Sequence, residues 1–310
     1  MLLCVCLTLC SCGSNESAEK PSAASSDTAA RDSSSATTAS AGSRDNTPVV
    51  LTGSADGTVT YGNDSVTVDA SHTEEGYLMV SYSGSNSKVK LQITGSDEIT
   101  YTYNLHDGYE TFPLTSGSGS YTVGVFENIE GTSYSTLFTQ AIDVTIQDEF
   151  GPYLYANQYV NFSADSKVIS KAMELSASAN DDLEVIENVY NYIITNFTYD
   201  YDKAASVQSG YLPDVDEVLA SQTGICFDYA AVMASMLRCE RIPTRLEVGY
   251  MGDVYHAWIS TYIKDKGWVN GIIEFDGNDW KLMDPTFAST SSDPKDFLTQ
   301  TDEYITKYVY

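Results

Sequence analysis

Thr223-Gly224-Ile225-Cys226-Phe227-Asp228-Tyr229-Ala230 decides how this chain is read. The Gly-x-Cys step opens a run whose apolar positions Ala230, Val232, Met233, Met236 and Leu237 predict a helix buried on most sides and ended by Ile242-Pro243. A thiol at the start of such a helix lies where the macrodipole and free backbone N–H groups favour its thiolate. Further along, Val254-Tyr255-His256-Ala257-Trp258 supplies an imidazole and Leu282-Met283-Asp284-Pro285-Thr286 a carboxylate. Nucleophile, base and orienter therefore occur in that order: Cys226 to attack, His256 to take its proton, Asp284 to hold the imidazole tautomer.

The flanking pattern gives these residues a setting. Val168, Ile169, Ala172, Met173 and Leu175 begin one helix, and Leu183, Ile186, Val189, Tyr190, Ile193, Ile194 and Phe197 mark a second, with Asp181 and Glu184 as its capping box. A short helix around 216–221 leads into the Cys226 helix. Leu246/Val248/Tyr250, His256/Trp258/Ser260/Tyr262 and Trp280/Leu282/Asp284 alternate as strands, with 274–279 as the turn joining the last two. Antiparallel pairing of those two strands would bring His256 to Asp284. Residues 151–310 thus read as α+β. If 227–239 is one helix, Cys239 lies about 20 Å from Cys226, beyond the roughly 7 Å a disulfide allows, so both thiols are expected to be free.

Other residues near the motif admit two readings each. Gln222 offers a side-chain amide to an oxyanion beside the Cys226 N–H, or is a turn residue between helices. Asp228 complements the dipole of the first turn, although its charge works against a thiolate two residues away. Trp258 and Trp280 line a cleft or pack as core aromatics. Arg245 reads as a solvated charge.

These blocks resemble the transglutaminase-like superfamily, which shares the Cys/His/Asp arrangement of papain-like enzymes. Its Gly-x-Cys helix, Gly-Ile-Pro-x-Arg segment, His-Ala-Trp strand and Trp-x-x-x-Asp-Pro-Thr ending look like Gly224-Ile225-Cys226, Arg241-Ile242-Pro243-Thr244-Arg245, His256-Ala257-Trp258 and Trp280 through Thr286, with Arg241 in place of the usual glycine. The resemblance covers about 153–291. It implies a papain/transglutaminase-like fold, with Cys226 as nucleophile, His256 as general base and Asp284 as orienter. It also implies acyl transfer through a thioester, by hydrolysis of an amide or peptide or by transamidation, with no cofactor. No cluster of carboxylates forms a calcium loop, which favours hydrolysis. The competing reading is a non-catalytic adhesion or scaffold lipoprotein with a structural module of this fold.

Between 49 and 150 the period is two, as in Val66/Val68, Leu78/Val80/Tyr82, Val89/Leu91/Ile93 and Tyr121/Val123/Val125, punctuated by Asp56-Gly57, Gly95-Ser96-Asp97 and Gly117-Ser118-Gly119. Six or seven strands and an all-β immunoglobulin-like sandwich are expected. His72 and His106 fall at its turns without a second ligand at metal-binding spacing and read as surface histidines.

Residues 12–48 are almost wholly small and polar and read as a disordered tether. Residues 1–11 are apolar but too short to span a bilayer, and Leu9-Cys10-Ser11-Cys12-Gly13 resembles a bacterial lipobox, which makes Cys12 the lipidated first residue of the mature chain. No Lys or Arg precedes Cys12. That places the protein on the outer face of the bacterial cell membrane, in contact with lipid through its anchor alone. Its substrate would be a protein or peptide, cell-wall peptides among the accessible ones. A net charge of −27, from 43 acidic against 16 basic residues, excludes attraction to nucleic acid.

Overall fold

Period-two alternation lets each strand turn one face to a shared interior, and eight strands between Thr60 and Val144 do so. The computed structural model describes residues 43–270, 272–275, 280–283, 286 and 304–310. In chain order the eight are β1 (Thr60–Gly62), β2 (Val66–Asp69), β3 (Tyr77–Tyr82), β4 (Val89–Thr94), β5 (Thr100–Leu105), β6 (Gly108–Pro113), β7 (Gly119–Glu130) and β8 (Ser133–Val144). They pair antiparallel in two four-stranded sheets, β1-β2-β3-β6 and β5-β4-β7-β8. Val66, Val68, Leu78 and Val80 of the first sheet and Leu91, Ile93, Val123 and Val125 of the second are buried in the core.

The helical period after Gly151-Pro152 gives α1 (Lys167–Ser176) and α2 (Asp182–Asn196). The Asp181 carboxylate accepts the Glu184 N–H at 2.9 Å, capping α2, while Glu184 reaches back to the N–H of Asn180. Then come β9 (Thr198–Tyr199), α3 (Tyr201–Ser206), α4 (Val215–Ser221), β10 (Thr223–Gly224) and α5 (Cys226–Cys239). The remainder is β11 (Thr244–Met251), β12 (Val254–Ile263), β13 (Gly267–Asn270), β14 (Ile272–Phe275), β15 (Trp280–Met283) and β16 (Tyr304–Val309). β13-β12-β11-β16 is one antiparallel sheet and β14-β15 a separate hairpin.

That topology corrects one expectation. The strand beginning at Trp280 pairs with β14, Phe275 opposite Trp280, and not with the strand of His256, whose neighbours are β11 and β13. The reason is that 267–275, read as part of a connection, supplies two strands that take the places beside β12 and β15.

α5 is the pillar of this half. Every residue from Asp228 to Cys239 is buried, and the helix packs against α1, α2, α4, β11 and β12. It ends in a Schellman motif: Ile242 N–H bonds to the Leu237 carbonyl at 3.0 Å and Arg241 N–H to that of Arg238 at 2.9 Å. Arg241 carries the motif's left-handed conformation at φ 64°. That conformation explains the glycine usual there in the resembling family, and a side chain in it costs about 1 kcal/mol. Near the same end, Arg238, 1% exposed, donates to the carbonyls of Thr244, Tyr155 and Tyr310 at 3.0, 2.7 and 2.8 Å.

Tyrosines join the sheets to the helical half. Tyr159 stacks on Tyr310 with centroids 3.9 Å apart, Tyr103 and Tyr101 meet Tyr310 edge-on at 6.0 and 5.6 Å, and Tyr159 reaches Phe227 at 5.5 Å. Gln158 Nε2 donates to Asn104 O and Glu110 Oε1, both at 2.7 Å. At the junction Gly151 is obligatory, because a Cβ there would lie 1.9 Å from the Glu75 carbonyl oxygen. Ahead of the sheets, Arg44 binds Asp182 at 2.6 Å and the buried Glu240 at 3.1 Å, and Val49 N–H bonds to the Cys239 carbonyl at 2.7 Å.

Candidate active site

The start of α5 is built by a short parallel bridge. Tyr199 of β9 pairs with Gly224 of β10, and Thr198 N–H and Asp200 N–H donate to the carbonyls of Gln222 and Gly224 at 2.8 and 2.9 Å. Ile225 then takes the extended N-cap conformation at φ −98°, ψ 176°, and Cys226 is the first helical residue. Gly224 leaves room for the Asp228 side chain: a Cβ at Gly224 would lie 2.6 Å from Asp228 Cβ and 2.8 Å from Asp228 Oδ2. Gly224→Ala is expected to cost about 1–3 kcal/mol, the usual range for overpacking, in urea unfolding, and to slow alkylation of Cys226. An unchanged midpoint and labelling rate would refute that steric account.

Asp228, 0% exposed, is held by three donors. Its Oδ2 accepts the Ile225 N–H at 2.8 Å and Lys203 Nζ at 2.6 Å, and its Oδ1 accepts the Tyr211 hydroxyl at 2.6 Å. The bond to Ile225 satisfies one of the free N–H groups at the helix start. Lys203 Nζ also lies 4.4 Å from the centroid of the Tyr211 ring and donates to its hydroxyl at 2.7 Å. Burial and the Asp228 carboxylate push the Tyr211 hydroxyl well above its usual range, so it serves as a donor.

Cys226 is half-buried and its thiol is free. The Tyr199 hydroxyl lies within electrostatic reach of Cys226, and burial, followed by the Cys226 thiol, pushes it up to about 12. The structure also brings Tyr255 of β12 within electrostatic reach of Cys226. The next residue, His256, is buried on β12, its ring 6.1 Å from Trp258 and 6.3 Å from Tyr304. Cys239 is chemically different from Cys226: it is fully buried and free, its thiol donates to the Met236 carbonyl at 3.1 Å, and burial drives it away from ionisation.

The other residues singled out in the sequence have varied surroundings. Gln222 is the C-cap of α4 at φ 51°, and its amide donates to the Tyr192 hydroxyl at 3.3 Å. Trp258 is 3% exposed and packs edge-on to Tyr304 at 4.9 Å. Trp280 lies on β15; Asp284 and Cys12 lie outside the described residues. Arg245 departs from the solvated charge expected of it. Its guanidinium carbon sits 3.7 Å from the Trp268 ring centroid and 4.7 Å from that of Tyr153, since this residue near the head of β11 faces a neighbouring aromatic wall. His72 and His106 each meet a carboxylate, Asp56 at 2.9 Å and Glu110 at 3.0 Å. Among the described residues, no cluster of three or more His, Cys, Asp or Glu forms a metal site, and no helix is long and apolar enough to cross a membrane.

Tyr199, Lys203 and Tyr211 are the site residues that sequence reasoning missed. The one local signal for them is Asp200, whose carboxylate accepts the Lys203 N–H at 2.8 Å and so starts α3.

Comparison with known proteins bears on this site. Residues 169–271 match the family model described as the transglutaminase-like superfamily, a span that includes Cys226 and His256 and stops before Asp284. A curated UPF0252 protein of Methanocaldococcus jannaschii is 28% identical over 89 residues, 27% of this chain and 24% of its own. The chain thus spans about a quarter of the length of the curated relative it matches. Among solved structures, a candidate cysteine protease from Cytophaga hutchinsonii aligns over 81% of this chain and 78% of its own, at 16% identity and a TM-score of 0.38. Red sea bream transglutaminase aligns over 70% of this chain and 48% of its own, at 15% identity and a TM-score of 0.30. Residues 169–271, which carry the thiol, the imidazole and the helix and strand that hold them, are a transglutaminase-like domain.

Proposed function

We propose that the protein is a thiol enzyme that transfers acyl groups through a thioester on Cys226. The observation that carries the reading is the setting of that thiol: free, half-buried and the first residue of a buried helix, with the Tyr199 hydroxyl in electrostatic reach.

In this mechanism His256 takes the Sγ proton and the thiolate adds to the carbonyl carbon of an amide. The carbonyl oxygen gathers negative charge beside the Cys226 N–H at the start of α5. Asp284 holds the imidazolium, which returns its proton to the departing amine as the C–N bond breaks. Water or a second amine then attacks the thioester, giving hydrolysis or transamidation, and Cys226 Sγ regains its proton. Trp258, packed along His256, keeps the imidazole oriented.

The wider reading puts the enzyme on the outer membrane face: a signal peptide at 1–11, a lipid on Cys12, a tether over 12–48 whose last residues, from Arg44 on, are not free but bound to α2 and the end of α5, a sandwich over 49–150 and the catalytic domain over 151–310. The strand orders β2-β3-β6 and β5-β4-β7-β8 support an immunoglobulin-like sandwich, because consecutive strands cross between two antiparallel sheets. Its substrate is a protein or peptide outside the cell.

Trapping tests the chemistry. The full chain is incubated with a cell-surface extract and Cys226 is examined by mass spectrometry for a thioester adduct that water or an amine releases. The adduct is expected on the parent protein and absent from a folded Cys226→Ala variant. An adduct elsewhere, or none on a Cys226 that alkylates normally, would overturn the proposal.

A further inference from the structure

A carboxylate at the third position of α5 stands two residues, about 3 Å of axial rise, from the thiol. On its own it opposes the thiolate, cancelling part of what the helix N-terminus supplies. Asp228 cannot shed that charge into water, since it is fully buried. It also cannot be dispensed with cheaply, since its Oδ2 holds the Ile225 N–H at 2.8 Å and so fixes the turn from which Cys226 projects. The same carboxylate is thus needed for geometry and harmful for reactivity.

Lys203 resolves the conflict. Its Nζ lies 2.6 Å from Asp228 Oδ2, and it comes from a different element, α3, directly after the Tyr199 strand. We infer that Lys203 is a positioning residue for the thiolate: by neutralising Asp228 it lets the carboxylate brace the start of α5 while leaving the helix field at Cys226 intact. The Tyr211 hydroxyl completes the carboxylate's shell and the Tyr211 ring covers the ammonium. The inference rests on Cys226 being the reactive thiol. Tyr199 on β9 and Tyr255 on β12 lie within electrostatic reach of Cys226, Lys203 on α3 and Tyr211 in the loop before α4 meet Asp228, and His256 follows Tyr255 on β12. Lys203 and Asp228 form a salt bridge.

The test is the pH profile of iodoacetamide labelling at Cys226, read site by site by mass spectrometry on the full chain, which needs no substrate. Lys203→Met leaves an uncompensated anion, so its midpoint is expected to rise by about one pH unit; Asp228→Asn leaves an uncompensated cation, so its midpoint is expected to fall. Lys203→Arg should keep the parent profile, and the double variant Lys203→Met/Asp228→Asn should return close to it. A loss of structure alone would move both single variants the same way and expose Cys239 to labelling. Shifts of the same sign, or no shift in either variant, overturn the proposal. Opposite shifts without any thioester adduct would keep Lys203's role and reject only the acyl-transfer reading.

Discussion

His256→Ala is expected to slow acylation of Cys226 by a generic activated ester, such as p-nitrophenyl acetate, by about 10²–10⁴-fold, the range a positioned general base contributes. The effect is large because neither Tyr199 nor Lys203 offers a second base. Tyr199 is itself pushed up to about 12 and acts as a donor, and the Lys203 ammonium is engaged with Asp228. Burst-phase release of nitrophenol, checked by the acyl mass on Cys226, measures the rate. His256→Gln, which fills the place beside Trp258 and Tyr304 without a basic nitrogen, should be equally slow. If either variant acylates at the parent rate, His256 is not the base.

Arg238→Met is expected to produce the largest loss of stability, on the order of 3–5 kcal/mol. Burial draws the guanidinium down to about 9, so it is still charged at neutral pH, and all three of its carbonyl partners belong to different segments: Tyr155 before α1, Thr244 at the head of β11, and Tyr310 after β16. Methionine fills much of the volume but takes a donor from each of those oxygens, of which Tyr310 O keeps the Leu246 N–H at 2.9 Å, in an interior where water cannot replace the guanidinium. Urea unfolding followed by far-UV circular dichroism reads the shift in midpoint. A loss under about 1 kcal/mol, the net worth of a single hydrogen bond, would mean that the carbonyls find other donors and that the guanidinium is not the tie between these segments.

The parts of the molecule legible in the sequence are those whose signal is local. The Cys226 helix showed itself through a long apolar run with a Gly step before it, α2 through Asp181 and Glu184, and β12 through alternation from His256 to Tyr262. What escaped is set by partners far along the chain. β9 and β10 have two residues each, too few to show any period, yet their pairing is what lays Tyr199 against Cys226. Lys203 and Asp228 are 25 residues apart, and nothing in either neighbourhood announces the other. β16 joins β11 through a register shift between Val248 and Gly249, an irregularity no alternation predicts. The abundance of tyrosine was visible as a number, but its purpose is a seam: Tyr101, Tyr103, Tyr159 and Tyr310 join the sheets to the helical half and extend to Phe227, the residue next to Cys226.

The strap that precedes the sheets has a mechanical consequence. Arg44 grips Asp182 and Glu240, Arg241 grips Asp45, and Val49 is bonded to Cys239, so tension on the chain ahead of Ser43 would be taken up at the C-terminal end of α5. The thiol sits at the opposite end of the same 14-residue helix, about 20 Å away. One buried strut would therefore carry the mechanical load at one end and the chemistry at the other.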